Sequence, residues 1–534
     1  MKGKTILSVF LALVLLASLA ACGGTTSEAG GSGGLIDASN YTANDALPQE
    51  DVHLSVYLHS YNPSVNEQPT EEAPSVFNSS RYLIETYTSL YPNVDFEIYR
   101  SLQVDNRESL LEQMAILVNS SQCPDIFFSW GNTFQSQGWL ADFNDILETP
   151  NQYEPGNERW KDMYFDYMWE NGQMTVDIAG NIVAIPVSAY VPGTVGMFYN
   201  KDLFAQYNAE IPKTWQELCD LALMFRENDL VGIAPWPGAL LKIDSWDFWS
   251  MLCPALSVGF EACDEDGDEV VSVEEGLRTR AEGWSYAQNH ENVKNVFRLY
   301  KYKYSVVLEE GFENIDYGQP WNDGKVAMLE DGLWRIPGES SNTKREFDFD
   351  IFLHPLVSTD TDVTVDGVRV QLNDASKVRV PEMTEAGPEK LGVEIAFNIF
   401  KPELQGRPQA VYDYGADFLK FFTATDNLSI MTEERAGSAL GATKTCRVPA
   451  VLTEWMSQPF PKALIGAIDV MGATSGTTST RSALLQQYVK SMITEDEFFR
   501  QWDAEVYRDF MEYVETNNLD ISAYDVFVPE GVSA

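Results

Sequence analysis

Residues 124–130 read Pro124-Asp-Ile-Phe-Phe-Ser-Trp130 and are followed by Gly131 and Asn132. The unbroken apolar run at the centre, bounded by Pro on one side and Gly-Asn on the other, predicts a strand buried on both faces. Toward the N-terminus, Leu110, Leu111, Met114, Leu117 and Val118 recur at helical spacing. Before them, Val94 to Tyr99 predicts a strand, and Val76 to Tyr91 a helix with Leu83, Ile84, Tyr87 and Leu90 on one face. Leu54-Ser-Val-Tyr-Leu58 alternates and predicts the first strand of the series. Strands alternating with helices from residue 51 to about 186 predict a parallel α/β sheet. Such sheets take ligands in the crevice past the carboxyl ends of their strands. That rule singles out His59 and Tyr61 in the first loop, and Trp130 and Asn132 in the third.

A second unit begins near residue 188. Thr214-Trp-Gln-Glu217, after Pro212-Lys213, has the spacing of a capping box, with Trp215, Leu218, Ala222 and Phe225 on one helical face. The acidic stretch 264–275 has Gly267 where a calcium loop needs its glycine. Positions one and twelve would then be Ala262 and Val273, where carboxylates are required. It reads as a solvated turn, and no metal or cofactor is expected. Ser482 to Asn517 predicts an amphipathic helical tail with a capping box at Thr494–Glu497.

At 534 residues the chain has room for about three to four domains or two large lobes. Its 36 basic and 80 acidic residues give a net charge of −44. This balance excludes nucleic acid and a polybasic lipid contact. The 4 His stand at 53, 59, 290 and 354, none at metal-ligand spacing. Lys2 and Lys4 precede an apolar run from Thr5 to Ala21, which ends Leu19-Ala-Ala-Cys22-Gly-Gly24. The run resembles a bacterial lipoprotein signal, with residues 1–21 removed and Cys22 lipidated. Residues 22–50, rich in Gly, Ser and Thr, then read as a flexible tether reaching roughly 30 Å. The other Cys, at 123, 219, 253, 263 and 446, form no C-x-x-C and read as small buried hydrophobes; a local Cys253–Cys263 disulfide stays open.

Several segments, in order, resemble the extracellular solute-binding proteins of ABC importers, in the carbohydrate-binding group that includes the maltodextrin-binding protein family. They are Tyr91-Pro-Asn-Val94; Pro124-Asp-Ile-Phe-Phe128 with Leu140-Ala-Asp142; Ile185-Pro186; and Gly193-Thr-Val-Gly-Met-Phe-Tyr-Asn-Lys-Asp202. Pro212 to Leu218, Gly324-Lys-Val-Ala-Met328 with Gly332 and Trp334, and the helix from Ala410 to Phe422 complete the series. Long relatives carry a calcium loop after the helix that follows the Pro-Lys-Thr-Trp motif. Here Arg226 to Ile233 is too short and too apolar for one.

The resemblance implies an α/β, two-lobed periplasmic-binding-protein-like fold, each lobe a sheet flanked by helices and joined by several hinge crossings. The N-terminal lobe would hold residues 51–187 and about 394–440; the C-terminal lobe, 188–393 and about 441–534. Crossings are expected near Ala184–Tyr190, Leu391–Glu394 and Leu440–Lys444. A sugar offers apolar C–H faces and a rim of hydroxyls, so a site for it combines aromatic rings with planar polar groups. His59, Tyr61, Trp130, Asn132, Tyr190, Trp236, Trp246, Trp249, Trp334, Arg335 and Glu394 are the candidates, with Asp244 as a further polar group. Trp130 and Trp334 are the foremost pair, one from each lobe. Trp215 and Trp321 are assigned to packing, and Arg335 alternatively satisfies a local carboxylate. The implied function is capture of an oligosaccharide by a monomeric, lipid-anchored, non-enzymatic protein at the outer face of the cytoplasmic membrane, for delivery to the permease subunits of an ABC importer. Two readings stay open beside it: a surface-anchored glycan-active enzyme with paired carboxylates, and the same fold binding a peptide or other polar solute.

Overall fold

The computed structural model describes residues 36–70, 75–102, 107–130, 133–169, 174–177, 179–189, 195–235, 241, 265, 273–284, 286–355, 357, 361–371, 383–384, 387–388, 393–435, 440–449, 452, 478–516 and 519–532. The strands are β1 (Val52–Tyr57), β2 (Val94–Ile98), β3 (Ile126–Trp130), β4 (Ile185–Ala189), β5 (Val195–Asn200), β6 (Val231–Ala234), β7 (Val326–Gly332), β8 (Phe349–Leu353), β9 (Val363–Val365), β10 (Val368–Val370), β11 (Met383–Thr384), β12 (Gly387–Pro388), β13 (Val393–Ile399) and β14 (Leu440–Gly441). They form two main sheets, ordered β14-β4-β13-β3-β1-β2 and β6-β7-β5-β8, and two small hairpins. This is the two-lobed α/β architecture expected.

The first sheet is mixed where a parallel sheet was predicted. β1 runs parallel to β2 and β3, but β13 is antiparallel to β3 and β4, and β14 is antiparallel to β4. The late strands return from the second lobe and enter the sheet from the opposite direction. In consequence the carboxyl ends of β1, β3 and β4 share one edge with the amino ends of β13 and β14.

The motif residues have identifiable local work. Helix α1 (Ser79–Leu90) ends at Tyr91, where Asn93 Nδ2 donates to Glu50 O at 2.7 Å and to Tyr414 Oη at 2.9 Å. Tyr87 and Tyr153 both donate to the buried Asp417 carboxylate, at 2.8 and 2.6 Å, tying α1 to helix α2 (Ala410–Thr423). In the second lobe Asn200 caps helix α3 (Lys201–Tyr207), accepting from the amides of Asp202 and Leu203. Thr214 and Glu217 form the predicted reciprocal box on helix α4 (Trp215–Arg226). Such a cap stabilises a helix by about 1 kcal/mol. Trp215 and Trp321 are fully buried, as assigned.

Three expectations are corrected. Residues 36–50 are not tether: Tyr41 sits edge-on to Phe421 and Tyr153 and donates to Asn427 Oδ1 at 2.8 Å, and Ile36, Ala43 and Leu47 pack on the first core. The third crossing does not lie at Leu440–Lys444, because Leu440 and Gly441 pair with β4, the Ala442 and Lys444 amides donate to Val187 O and Met163 O, and Thr443 bridges to Tyr164, all in the first lobe. The tail is two helices, α5 (Thr478–Val489) and α6 (Glu495–Thr516), folded against the second core through Leu485, Tyr488, Phe498 and Trp502.

Candidate functional site

The shared edge of the first sheet collects side chains from elements far apart in sequence. His59 follows β1 with a left-handed backbone (φ 49), and its ring stacks on Phe128 of β3 at 4.2 Å. A non-glycine residue there needs support from its surroundings, which the stack supplies. Burial, aided by the Arg435 charge, pushes the imidazole down to about 4, so His59 is neutral near pH 7.

Glu394 lies between Val393, opposite Ala189, and Ile395, opposite Ser188, where the β13–β4 register shifts. A bulge of this kind re-aims a side chain. Here the Glu394 carboxyl accepts from Ser188 Oγ at 3.3 Å, and burial raises it to about 7 against the opposing pull of that hydrogen bond. Trp130 closes β3 opposite Ile395, so its backbone belongs to this edge; its side chain is outside the described positions.

Tyr61 departs from the expectation of a ligand-facing ring. It is buried to 1 % exposure, edge-on to Phe397 and Phe422, with the Arg435 guanidinium 5.1 Å over its face. Its hydroxyl neighbours Ser188 and Glu394, and burial holds it well above the ordinary phenol range. Tyr61 therefore stands behind the edge and supports it. Ser188 and Arg435 are members of this cluster that sequence reading missed. Neither has a local signal, since one is an interior strand residue and the other a helix end.

The second sheet has its own edge. The carboxyl ends of β6, β7 and β8 meet the amino end of β5 there, with Val195 opposite both Gly332 and the approach to Leu353. Trp334 follows β7 in a short helical turn and is 39 % exposed, the one Trp among the exposed large apolar side chains of the described residues. Arg335 makes the local carboxylate contacts weighed as its alternative role. Its Nη1 donates to Asp331 Oδ2 at 2.9 Å and its Nε to Glu339 Oε1 at 2.8 Å, both carboxylates being buried. Trp321 Nε1 donates to the other Glu339 oxygen at 2.9 Å. On the opposite face of β7, Glu330 takes Lys303 Nζ at 2.9 Å with His354 Nε2 3.4 Å away. A buried ion pair of this geometry fixes the strand end, and removing one partner is costly.

Asn132, Tyr190, Trp236, Asp244, Trp246, Trp249, Cys22, Cys253 and Cys263, and most of the acidic stretch 264–275, lie outside the described residues. Among the described residues no group of three or more His, Cys, Asp or Glu is placed to hold a metal ion. A groove of about 370 Å³ lined by Tyr199, Lys201, Phe204 and Ile211 lies at the opposite end of β5, away from both edges.

The fold has many counterparts among solved structures. A chitin oligosaccharide binding protein matches with TM-score 0.56 at 16% identity, over 86% of this chain and 99% of its own. A solute receptor, AcbH, described as exclusive for β-D-galactopyranose, matches with TM-score 0.52 at 12% identity, over 87% and 99%. The cyclic α-maltosyl-1,6-maltose binding protein of Arthrobacter globiformis matches with TM-score 0.51 at 16% identity, over 86% and 99%. At these identities the likeness is one of fold. No curated protein matches by sequence. The family model for bacterial extracellular solute-binding proteins matches residues 73–377. That span covers more than half of the chain and takes in β2 through β10 and the Gly332–Trp334 turn, and the chain belongs to this family.

Proposed function

We propose that the chain is a lipid-anchored receptor that captures a carbohydrate between its two sheet edges and delivers it to the permease of an ABC importer. The observation that carries this reading is the solvent-exposed Trp334 ring at one sheet edge together with the His59 and Glu394 side chains at the other. The Ser75 and Ser341 hydroxyls, 2.9 Å apart, bring the segment just past Trp334 against the first lobe. A sugar between the edges would stack a C–H face on the ring and hydrogen-bond its rim to the first lobe. The structural neighbours named for chitin oligosaccharide, galactose and a cyclic maltosaccharide support the substrate class. Asn132, Tyr190, Trp236, Trp246 and Trp249 are proposed as further contacts.

Binding without turnover is the favoured chemistry. Asp331, the carboxylate beside Trp334, is buried and engaged with Arg335, so it is not available as half of a hydrolytic pair. Cys22 anchors the protein at the outer face of the cytoplasmic membrane, and the lobes close as a monomer about the segments that join them. The test is a thermal-shift panel of chitotriose, maltotriose, raffinose, galactose and trialanine. A sugar at about a hundredfold excess over its Kd raises stability by about 2.7 kcal/mol. A shift with trialanine alone, or loss of intact sugar on incubation, refutes the reading.

A further inference from the structure

Gly332 ends β7 with φ −77 and ψ 160, an extended backbone open to any residue. Its lack of a side chain is therefore not a conformational requirement; it is a spatial one. A Cβ at this position would fall well under 3.0 Å from Cη2, Cζ3 and Cε2 of the Trp334 ring. The indole thus lies flat on the Gly332 backbone, with its other face toward solvent. Glycine admits this close approach, and no other residue does.

The ring is also held at its rim. The Trp334 side chain lies near enough to Asp331 to act on its carboxyl. Asp331 Oδ1 in addition accepts from the Gly332 amide at 2.7 Å, and Asp331 Oδ2 receives Arg335 Nη1 at 2.9 Å. Arg335 is fixed in turn by Glu339, itself 4 % exposed and bonded to the buried Trp321. The chain of contacts runs from the core to the indole, and each group on it is oriented by the one behind.

We infer that Gly332 and Asp331 are positioning residues that hold the Trp334 ring as a one-faced platform at the cleft edge. This inference rests on the reading of Trp334 as ligand-facing for its functional meaning, but the ring's placement can be measured without any ligand. A preformed platform loses little side-chain freedom on binding, which is what makes such a ring effective.

The test uses the full chain labelled with 5-fluorotryptophan, in which Trp334→Ala identifies the Trp334 resonance among the 13 tryptophans. Gly332→Ala should move that resonance and raise its solvent-isotope shift while the other resonances hold. An unmoved Trp334 signal overturns the positioning role. If Gly332→Ala unfolds the protein, the double variant with Trp334→Ala should restore the fold when the ring clash is the cause, and failure to restore it overturns the inference. Affinity for the same five panel compounds separates the two claims. Gly332→Ala should weaken binding about as much as Trp334→Ala, roughly five- to 150-fold. It should add less than about twofold in the Trp334→Ala background. Equal losses in both backgrounds refute positioning through the ring. A moved resonance with unchanged affinity upholds the positioning and refutes Trp334 as a ligand contact.

Discussion

Glu394→Gln isolates the ionisation of the bulged carboxyl. The groups facing Glu394 are the Ser188 hydroxyl, which donates to it at 3.3 Å, and the Tyr61 hydroxyl; the Arg435 charge lies beyond the Tyr61 ring, near His59. Burial outweighs the Ser188 bond and lifts the carboxyl from an ordinary 4.5 to about 7. The folded state therefore keeps the proton after the unfolded chain has lost it. Stability from this group is fully present below pH 4.5, falls as pH rises toward about 7, and is flat beyond. The full difference amounts to about 3 kcal/mol. Gln is neutral throughout and still accepts from Ser188, so the variant lacks this slope. Urea midpoints of both proteins from about pH 4 to about pH 8 should coincide at the acid end and separate through the window, with the variant more stable at the alkaline end. Other titrating groups, among them Asp503 at about 6 and Lys420 at about 8, occur in both proteins and cancel in the difference. A difference that stays constant across the range refutes a proton-retaining Glu394.

Asp509→Ala should cost about 3–5 kcal/mol in urea unfolding, because it removes one member of an ion pair with Arg481 at 2.7 Å in which both side chains are 1% exposed; a loss below about 1 kcal/mol would show that water reaches the pair. Tyr41→Ala should cost about 1–3 kcal/mol by calorimetry, removing edge contacts to Phe421 and Tyr153 and the bond to Asn427. No change would return residues 36–50 to the status of a tether. Cys22→Ala should move the protein from the membrane to the soluble fraction with its melting temperature unchanged, and retention after a high-salt wash would refute the lipid anchor.

The elements were legible where local chemistry repeats. Alternation and helical spacing located β1, β2, β3 and α1, and the Thr214–Glu217 spacing located a cap that is present. What was illegible depends on partners hundreds of residues away. β13 pairs antiparallel with β3 across a gap that no periodicity reports. Residues 36–50 carry too few apolar side chains to show a period, yet Tyr41 finds a slot built by α2 and the Tyr153 loop. Tyr61 sits in a loop, where exposure is the usual rule, but that loop turns inward onto Phe397 and Phe422. Arg335 is ambiguous in sequence because an arginine followed by a carboxylate four residues on fits a ligand contact and a structural clamp equally; the buried Glu339 and Asp331 supply the clamp.

The order β14-β4-β13 bears on how binding and closure are linked. These strands border the passages between lobes: β4 leads to β5, β13 arrives from the second lobe, and β14 precedes the final return to it. They are neighbours, with Ala189 opposite both Val393 and Leu440 at the edge that carries Glu394 and Ser188. A ligand bonded to this edge touches the backbone about which the lobes would turn. Hinges absorb their dihedral changes in a few residues at element ends, and the register shift at Glu394 lies at the start of β13, where such a change would fall. A ligand shifts an open–closed equilibrium only by its differential affinity for the two states. Contacts on the hinge strands change geometry with the turn itself and contacts on Trp334 with the lobe that moves, so a ligand held at both edges discriminates the two states more strongly than one held at either.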